Sequence, residues 1–528
     1  MRHIRSLSKA PFPQPDVVTK AVPVPTDGWD AISPLADMDP KRAPILQNWV
    51  PRPGWVELRQ GYTAWVSSLT GSAPVETLMV LRQPTGQKML AASDLHIFNV
   101  STSGTFTSLA SGLSSNRWQY TNFTPPNGTT VIQFVNGADS LRQYDGSSLT
   151  TPSITGFPNS WTTANIVNIY ATKQRLWYVM INSTIAAFMP VGNISGAIAG
   201  YQDFGTLFNK GGFLQAVTDW TIDGGEGPNS YTAFISSEGQ VALYQGIDPT
   251  NTSLWSLVGV FDLAKPIGYR CATKLGSDVA LITYQGVIPL SQALPYDPSA
   301  DRSAALTARI QNAMNQSVQL YAGNFGWQWL TFPEQTLGFL NVPQVENSLQ
   351  TQYVQNMLTG AWCSFTGWNA NCFELYNQNL YFGDNTGNVN QVYTGVSTDG
   401  GTAILADMQC AFNWFDDPGR LKRMTMIQPL MTSSGLLSPN IAIDVDFSNL
   451  APTTVAQTIT AGALWDVAKW DVASWSGGNV QVTQWLSTEA IGKALAIRMT
   501  VNVVPTGSAN IVLQVNSFNA IMELGAFI

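Results

Sequence analysis

Few of the 528 residues carry side chains able to do chemistry. There are two histidines, His3 and His96, so a histidine-rich metal site is excluded. A Ser-His-Asp triad has only His96 to draw on, because His3 lies in a terminal tail. His96 alternates within the strand-like run "DLHIFNV" and reads as structural. The four cysteines, Cys271, Cys363, Cys372 and Cys410, form no CxxC pair. Cys363 and Cys372 are spaced to face each other across a hairpin, yet so few thiols in so long a chain favour reduced, buried ones. Asp444 and Asp446 share one face of a strand, a spacing common on exposed strands. Asp416-Asp417, ahead of Pro418-Gly419, reads as turn chemistry. No GxxxxGK[ST], HExxH or GxSxG occurs, and no Gly-rich turn sits in a βαβ setting. These residues predict no catalytic group, no metal ligand and no cofactor.

Composition narrows the class further. Hydrophobic residues make up 45% and aromatics 11%, so the chain can bury a large core. Charged residues are 11%, against about 25% in typical soluble domains. A surface of Ser, Thr, Asn, Gln and Gly repels its own copies weakly, which suits a subunit packed permanently against others; a low-charge or secreted monomer fits equally. The net charge of −8 argues against binding nucleic acid through phosphate neutralisation. The longest basic cluster, Arg420-Leu421-Lys422-Arg423, reads as a solvated loop. The start "MRHIRSLSKAPFPQP" has no apolar h-region, and no run approaches 18 apolar residues, so neither a signal peptide nor a membrane span is expected.

Strands must position whatever the chain presents. "LMVLR", "KMLAAS", "TVIQFVN", "RLWYVM", "QVALYQG", "DVALITY" and "NLYFGDN" are short, β-branched or aromatic, and bounded mostly by Gly, Asn or Asp. Hairpin loops recur at Asn136-Gly137-Ala138-Asp139, Ser237-Glu238-Gly239 and Asp384-Asn385-Thr386-Gly387. Tyr-x-Gly closes runs at Tyr144, Tyr244, Tyr284 and Tyr393, at steps of 100, 40 and 109 residues. These are rough multiples of the 40 to 50 residues of a four-stranded propeller blade. The fold class expected is all-β: a β-propeller of six to eight blades with an inserted helix, followed by a C-terminal β-sandwich-like domain. A chain of unrelated hairpins in stacked sandwiches is the competing architecture.

The expected divisions are an N-terminal arm over 1–27, a Pro/Trp-rich entry segment over 28–73, the propeller over 74–404 and a β-rich platform over 405–528. A helix near 299–316 is expected from Leu306, Ile310, Ala313 and Met314, with Asp297 or Ser299 as cap and Pro298 in the first turn. It lies outside the blades, over one of them or against a neighbouring subunit. In "LWDVAKWDVASWSGG", Trp465, Trp470 and Trp475 recur every five residues, a period of neither helix nor strand. They are candidate interface residues or packing on their own sheet, and Asp466 and Asp471 are the weaker candidates for a metal.

Three stretches resemble one family. "GWDAISPLADMDPKRAPILQNWVPRPGWVELRQGY" (Gly28 to Tyr62), "GWQWLTFPEQTLGFLNVP" (Gly326 to Pro343) and "MLTGAWCSFTGWNANCFELYNQNLYFGDNTGNV" (Met357 to Val389) resemble the tail nozzle, or packaged-DNA stabilisation, proteins of short-tailed bacteriophages (podoviruses). They cover about a quarter of the chain. The resemblance implies a structural virion protein, not an enzyme, made in the host bacterial cytoplasm and housed in the viral tail. It implies a homohexamer below the portal and the tail adaptor, the head-to-tail connector. Tail fibres or spikes would meet its outer parts. Genomic DNA would pass through the lumen without sequence-specific binding and be retained until ejection.

A ring of copies at −8 each is compatible with a lumen along which phosphate slides rather than sticks. The entry segment then reads as a preformed extended clamp whose prolines limit its unfolded freedom. Trp29, Trp49 and Trp55 are its candidate interface anchors, within the chain or against a neighbour, and Asp39-Pro40 would start one helical turn. The alternative is a carbohydrate-binding or glycan-cleaving propeller, possibly receptor-binding, which needs two converging carboxylates.

Overall fold

The computed structural model describes residues 16–223, 228–293, 305–434, 439–450, 457–459, 480–505 and 511–527. Short antiparallel sheets follow one another around an axis. Five stand alone: Val75–Gln83 to Thr107–Ala110, Gln119–Phe123 to Leu149–Thr150, Ile166–Thr172 to Gly200–Asp203, Leu214–Asp223 to Trp255–Asp262, and the three-stranded Ala272–Leu275 to Gly286–Pro289. Two more, Gln328–Phe332 to Trp362–Phe365 and Ala370–Tyr376 to Val389–Val392, are continuous with the C-terminal sheet. The first strand of each sheet packs beside the first strand or two of the next, and Ala370–Tyr376 returns to Val75–Gln83. The circle therefore closes as a seven-bladed propeller, here numbered from residue 75.

Closure borrows a strand from the entry segment. Tyr62–Val66 pairs antiparallel with Val389–Val392 and completes blade 7 from the other end of the propeller sequence. Such closure ties the ends of a ring that would otherwise open at its last sheet edge. The expected hairpin loops fall where the turn residues put them. Asn136 accepts the amides of Ala138 and Asp139 while Gly137 takes φ 74°. The Tyr-x-Gly triplets hold less well: those at Tyr144, Tyr244 and Tyr393 end the third strand of blades 2, 4 and 7, whereas Tyr284 lies in a hairpin turn of blade 5.

The C-terminal part is two facing sheets. One is built on Arg420–Ser433 and Leu513–Phe527, flanked by Leu486–Gly492 and Asp16–Pro23. The other joins Thr402–Gln409, Leu495–Pro505 and Asn440–Val445. Leu513, Val515, Phe518, Ala520 and Met522 point inward and meet Ile404, Ala406, Met408, Ile497 and Met499. The alternation of apolar with polar residues makes this a one-sided burial pattern of period two. The same core continues into Phe339, Val354, Phe365, Trp368, Phe373 and Phe382 of blades 6 and 7.

Three local expectations change. Arg420 to Arg423 is no loop but the start of the 14-residue strand Arg420–Ser433. Lys422 is fully buried, with Nζ donating to the carbonyls of Asp417, Arg420 and Lys493. Three carbonyls replace the water an ammonium needs, so burial of this cation is tolerable. The helix runs over Gln311–Tyr321 after a 3-10 turn at Leu306–Ile310. Its Ile310, Met314 and Val318 join Val287, Trp329 and Trp362, so it covers blades 5 and 6 of its own chain. The proposed capping residues 297–299 lie outside the described residues. The helical turn of the entry segment falls at Leu35–Asp37, and Asp39 instead accepts the Lys41 amide in the following turn.

Gly61 sits where the borrowed strand crosses Thr398: a Cβ there would lie 1.9 Å from the Thr398 carbonyl oxygen. Gly61→Ala is expected to lower stability by about 3 kcal/mol in chemical denaturation, because backbone rather than a flexible side chain stands in the way.

Candidate functional site

Arg59 lies at the join between propeller and C-terminal sandwich, and its side chain is fully buried. All its N–H groups are used. Nε donates to Asn48 Oδ1 at 2.8 Å, Nη1 to Asp399 Oδ1 at 2.8 Å and the Gln60 carbonyl at 3.1 Å, and Nη2 to Asp399 Oδ2 at 2.6 Å and the Thr366 carbonyl at 2.7 Å. The guanidinium lies 5.0 Å from the Trp368 ring centroid, and Trp368 Nε1 donates to the same Asp399. The planar fork matches a carboxylate bidentately, which a lysine could not do. Asn48 spans the same gap, donating to the Leu405 carbonyl and Thr366 Oγ1. Between them runs Ile45–Gln47, paired with Trp362–Phe365 of blade 6 on one side and Thr402–Gln409 of the sandwich on the other.

The entry segment enters this joint through Asp30. Its carboxylate accepts the amides of Ile32 and Ser33, the Ser33 hydroxyl and Arg42 Nη1 at 3.0 Å. Burial alone would raise its pKa, but those donors hold it below the ordinary carboxylate value.

A second feature follows the propeller axis. A cavity of 520 Å³ is lined by the first strands of all seven blades, from Thr77 and Tyr120 to Gln328 and Glu374. Glu374 is the one carboxylate in its described lining, and both its oxygens are engaged, by Arg82 at 2.9 Å and by the Tyr120 hydroxyl. Burial first, and Glu374 next, push the Tyr120 pKa well up, so it stays a neutral donor. At one mouth, Phe325 stands beneath two guanidiniums, with Arg117 at 4.4 Å and Arg270 at 4.8 Å from its centroid. Arg117 of blade 2 pairs with Glu76 of blade 1 at 3.0 Å and with Glu346 of blade 6, and Glu346 accepts the Phe325 amide at 2.9 Å. The contact from blade 2 to blade 6 straps the mouth across the axis. These groups brace the blades; the described lining brings no second carboxylate beside Glu374.

The sequence candidates fall as follows. Trp49 is fully buried in the shared core, so it anchors the entry segment inside its own chain. Trp29 is half-buried and stands edge-on to Tyr353 at 5.2 Å, and Trp55 donates to Glu57 at 3.1 Å. Trp465, Trp470 and Trp475, with Asp466 and Asp471, lie outside the described residues. His96 stacks on Phe98, with Nδ1 2.6 Å from the Asp94 carbonyl. All four thiols are buried and unpaired by disulfides; burial pushes Cys271, Cys372 and Cys410 up to about 12 and Cys363 higher. Asp444 is buried in its strand, whereas Asp446 turns away at φ 47° and caps the amides of Lys493 and Ala494. No group of three His, Cys, Asp or Glu among the described residues could hold a metal, and none of their helices is long and apolar enough to cross a membrane. Sequence reasoning did not single out Arg59, Asp399 or Asn48; in "WVELRQGY" Arg59 stands two residues from a second charge, Glu57, and nothing local marks it as buried.

No family model and no curated protein matches the chain. Among solved structures, BBS1N in complex with ARL6DN, soaked with lead, is 11% identical, covers 65% of this chain and 97% of that one, and has a TM-score of 0.39. The mercury-soaked crystal of the same complex is 11% identical, covers 43% and 71%, and has a TM-score of 0.28. The fold stands on this chain's own strand pairing: a closed β-propeller fused through its last two blades to a β-sandwich.

Arg59→Ala is expected to cost about 3 to 5 kcal/mol, since it leaves Asp399 buried without its partner. Arg59→Lys should recover only part of that in the same denaturant titration. Asp30 and Glu346 both carry depressed pKa values, so their contributions are complete at neutral pH and fade as pH falls below about 4 through the folded values. Thermal unfolding of Asp30→Asn should therefore show a smaller drop in Tm between neutral and acid pH than the parent chain.

Proposed function

We propose that the chain is a structural subunit of a short-tailed phage tail: a nozzle protein that assembles as a homohexamer below the portal and adaptor and encloses the DNA exit channel. It retains the packaged genome and takes part in its ejection. Its role is mechanical, and no bond is made or broken in it. The observation that carries this reading is where the three resembling stretches lie. Gly28 to Tyr62, Gly326 to Pro343 and Met357 to Val389 are far apart in sequence, yet all contribute to one buried joint. They supply Asn48 and Arg59, Phe339, and Phe365 and Trp368 respectively. The resemblance thus follows the part that fixes the propeller to the sandwich, which is what a load-transmitting subunit must keep constant.

The outer face of the long sheet supports the same reading. There Asn519 donates to Gln428 at 2.9 Å, Gln428 to the Thr483 carbonyl at 2.8 Å and Gln481 to Thr432 at 3.0 Å. Beside these amides the exposed Arg423 is matched by Glu489 at 2.8 Å and Glu523 at 3.5 Å, so this face offers phosphate few unpaired cations to hold it. Val480, the first described residue after the tryptophan-rich stretch, pairs with Ser433, the residue that also pairs with Leu513. In this reading that end carries the contacts that close the ring.

Mixing the full chain with the adaptor ring of the same phage should yield a discrete complex whose mass corresponds to a hexamer of this chain, visible as a tube by electron microscopy. A chain that stays monomeric with the adaptor, while particles lacking it keep complete tails and full genomes, would sink the proposal. Release of reducing sugar from a host glycan would favour the carbohydrate reading instead.

A further inference from the structure

We propose that the neck of the axial channel, formed by Arg270, Gln119 and Tyr269, binds the carboxylate of a small organic acid. The 520 Å³ cavity along the axis has a neighbour of 320 Å³ on the Phe325 side. Three residues line both: Gln119 from the first strand of blade 2, and Tyr269 and Arg270 from the chain leading into blade 5. Each carries a polar group that no other described residue uses. Arg270 Nη2 donates to the Glu76 carbonyl at 3.0 Å and to Thr77 Oγ1 at 2.7 Å, while Nη1 has no partner. The Gln119 amide and the Tyr269 hydroxyl make no hydrogen bond to the described residues. A guanidinium nitrogen held out of water is costly unless something accepts from it.

Charge sets the sign of the occupant. The described lining of the two cavities carries four cations, Arg82, Arg117, Arg270 and Lys274, and one carboxylate, Glu374. Glu76 and Glu346 pair with Arg117 from outside that lining, and Asp219 lies beside Lys274 and Lys173. Five cations then meet four carboxylates, which leaves one positive charge. Arg82 holds Glu374, and Arg117 holds two carboxylates. Lys173 and Lys274 share Asp219, and Lys274 is exposed to water. Arg270 has a carbonyl, a hydroxyl and the face of Phe325 at 4.8 Å, but no carboxylate bonded to it. A ring face offsets part of a cation's charge, and a carboxylate offsets all of it. The other two groups suit the same anion. An amide N–H₂ and a phenol that burial keeps protonated both donate to oxygen.

Size and access fit a small molecule. Small-molecule sites occupy about 300–1,000 Å³, and the cavities on either side of the neck leave room for the rest of an acid. Arg82 and Lys274 of the wider cavity are exposed, so it opens to solvent. One surplus charge suits a monoanion, which favours a carboxylate over a phosphate monoester carrying about −1.5 to −2 at neutral pH. Glu374 is engaged at both oxygens, so the site has no free acid or base and its role is binding, not turnover. The site is independent of the tail assembly.

The test titrates the full chain with propionate, read by saturation transfer to its methyl protons. Propionamide serves as the neutral isostere and methyl phosphate as the more highly charged anion. Propionate should bind with a millimolar Kd, and propionamide at least about tenfold more weakly. Gln119→Leu and Tyr269→Phe remove only groups that lack a partner within the chain. Each should keep the parent Tm, and the double variant should bind propionate at least about tenfold more weakly. No saturation transfer to propionate overturns the proposal, as does equal binding of propionamide or tighter binding of methyl phosphate. Unchanged affinity in the double variant places the bound propionate elsewhere and overturns it too. Should either substitution lower Tm, the three ligands on the parent chain still decide.

Discussion

One buried ion pair sets the geometry of the molecule. Arg59 and Asp399 meet where the entry segment, blade 6, blade 7 and the sandwich come together, and every donor of the guanidinium is spent there. A buried charge pair is a poor source of net stability, because desolvation offsets most of the attraction. Its value is directional. A shift in position would leave a cation or a carboxylate unpaired in an apolar core, which disfavours alternative packings of propeller on sandwich. The aromatic layer around it, Phe339, Phe365, Trp368 and Phe382, fills space on either side, while the ion pair decides the register.

That constraint explains the oddity of the entry segment. Its prolines forbid a long helix, and its run does not alternate like a strand, because it is not one element. It is a succession of two- to five-residue pairings with different partners: Gly28–Trp29 with Arg42–Ala43, Ile45–Gln47 between blade and sandwich, Trp49–Arg52 with Trp55–Leu58 in the long sheet, and Tyr62–Val66 in blade 7. A chain that changes partner every few residues needs rigid turns between pairings, which proline and Asp30 supply. The cost is that the propeller cannot close until residues about 330 positions apart have met, so its closure depends on long-range contact.

What the sequence disclosed follows from the range of the forces involved. Hairpins were legible because Asn136-Gly137 and Asp384 through Gly387 encode their turns locally. The sandwich was legible from alternation in "NIVLQVNSFNAIMELGAFI", where one face is buried and the other is not. Blade number was not, because each blade varies in length, one has three strands, and the last takes a strand from residue 62 onward. Lys422 was misread for a related reason: nothing in Arg420-Leu421-Lys422-Arg423 shows that the carbonyl of Lys493, 71 residues on, joins those of Asp417 and Arg420 at one ammonium. Trp49 was named as a candidate interface residue, and the sequence does not show that its side chain is buried in the core of its own chain.

The low charge of the chain acquires meaning once the ion pairs are placed. Arg59, Arg175, Arg498 and Lys422 are buried or nearly so and serve internal joints, and Arg82 and Arg117 brace the propeller axis. Part of the small complement of charge thus fixes geometry, while other pairs, such as Lys20–Asp416 and Lys265–Glu238, lie at the surface. Such a surface has little long-range repulsion to overcome when like copies approach. It also has little electrostatic steering to choose a partner, so selection must come from shape.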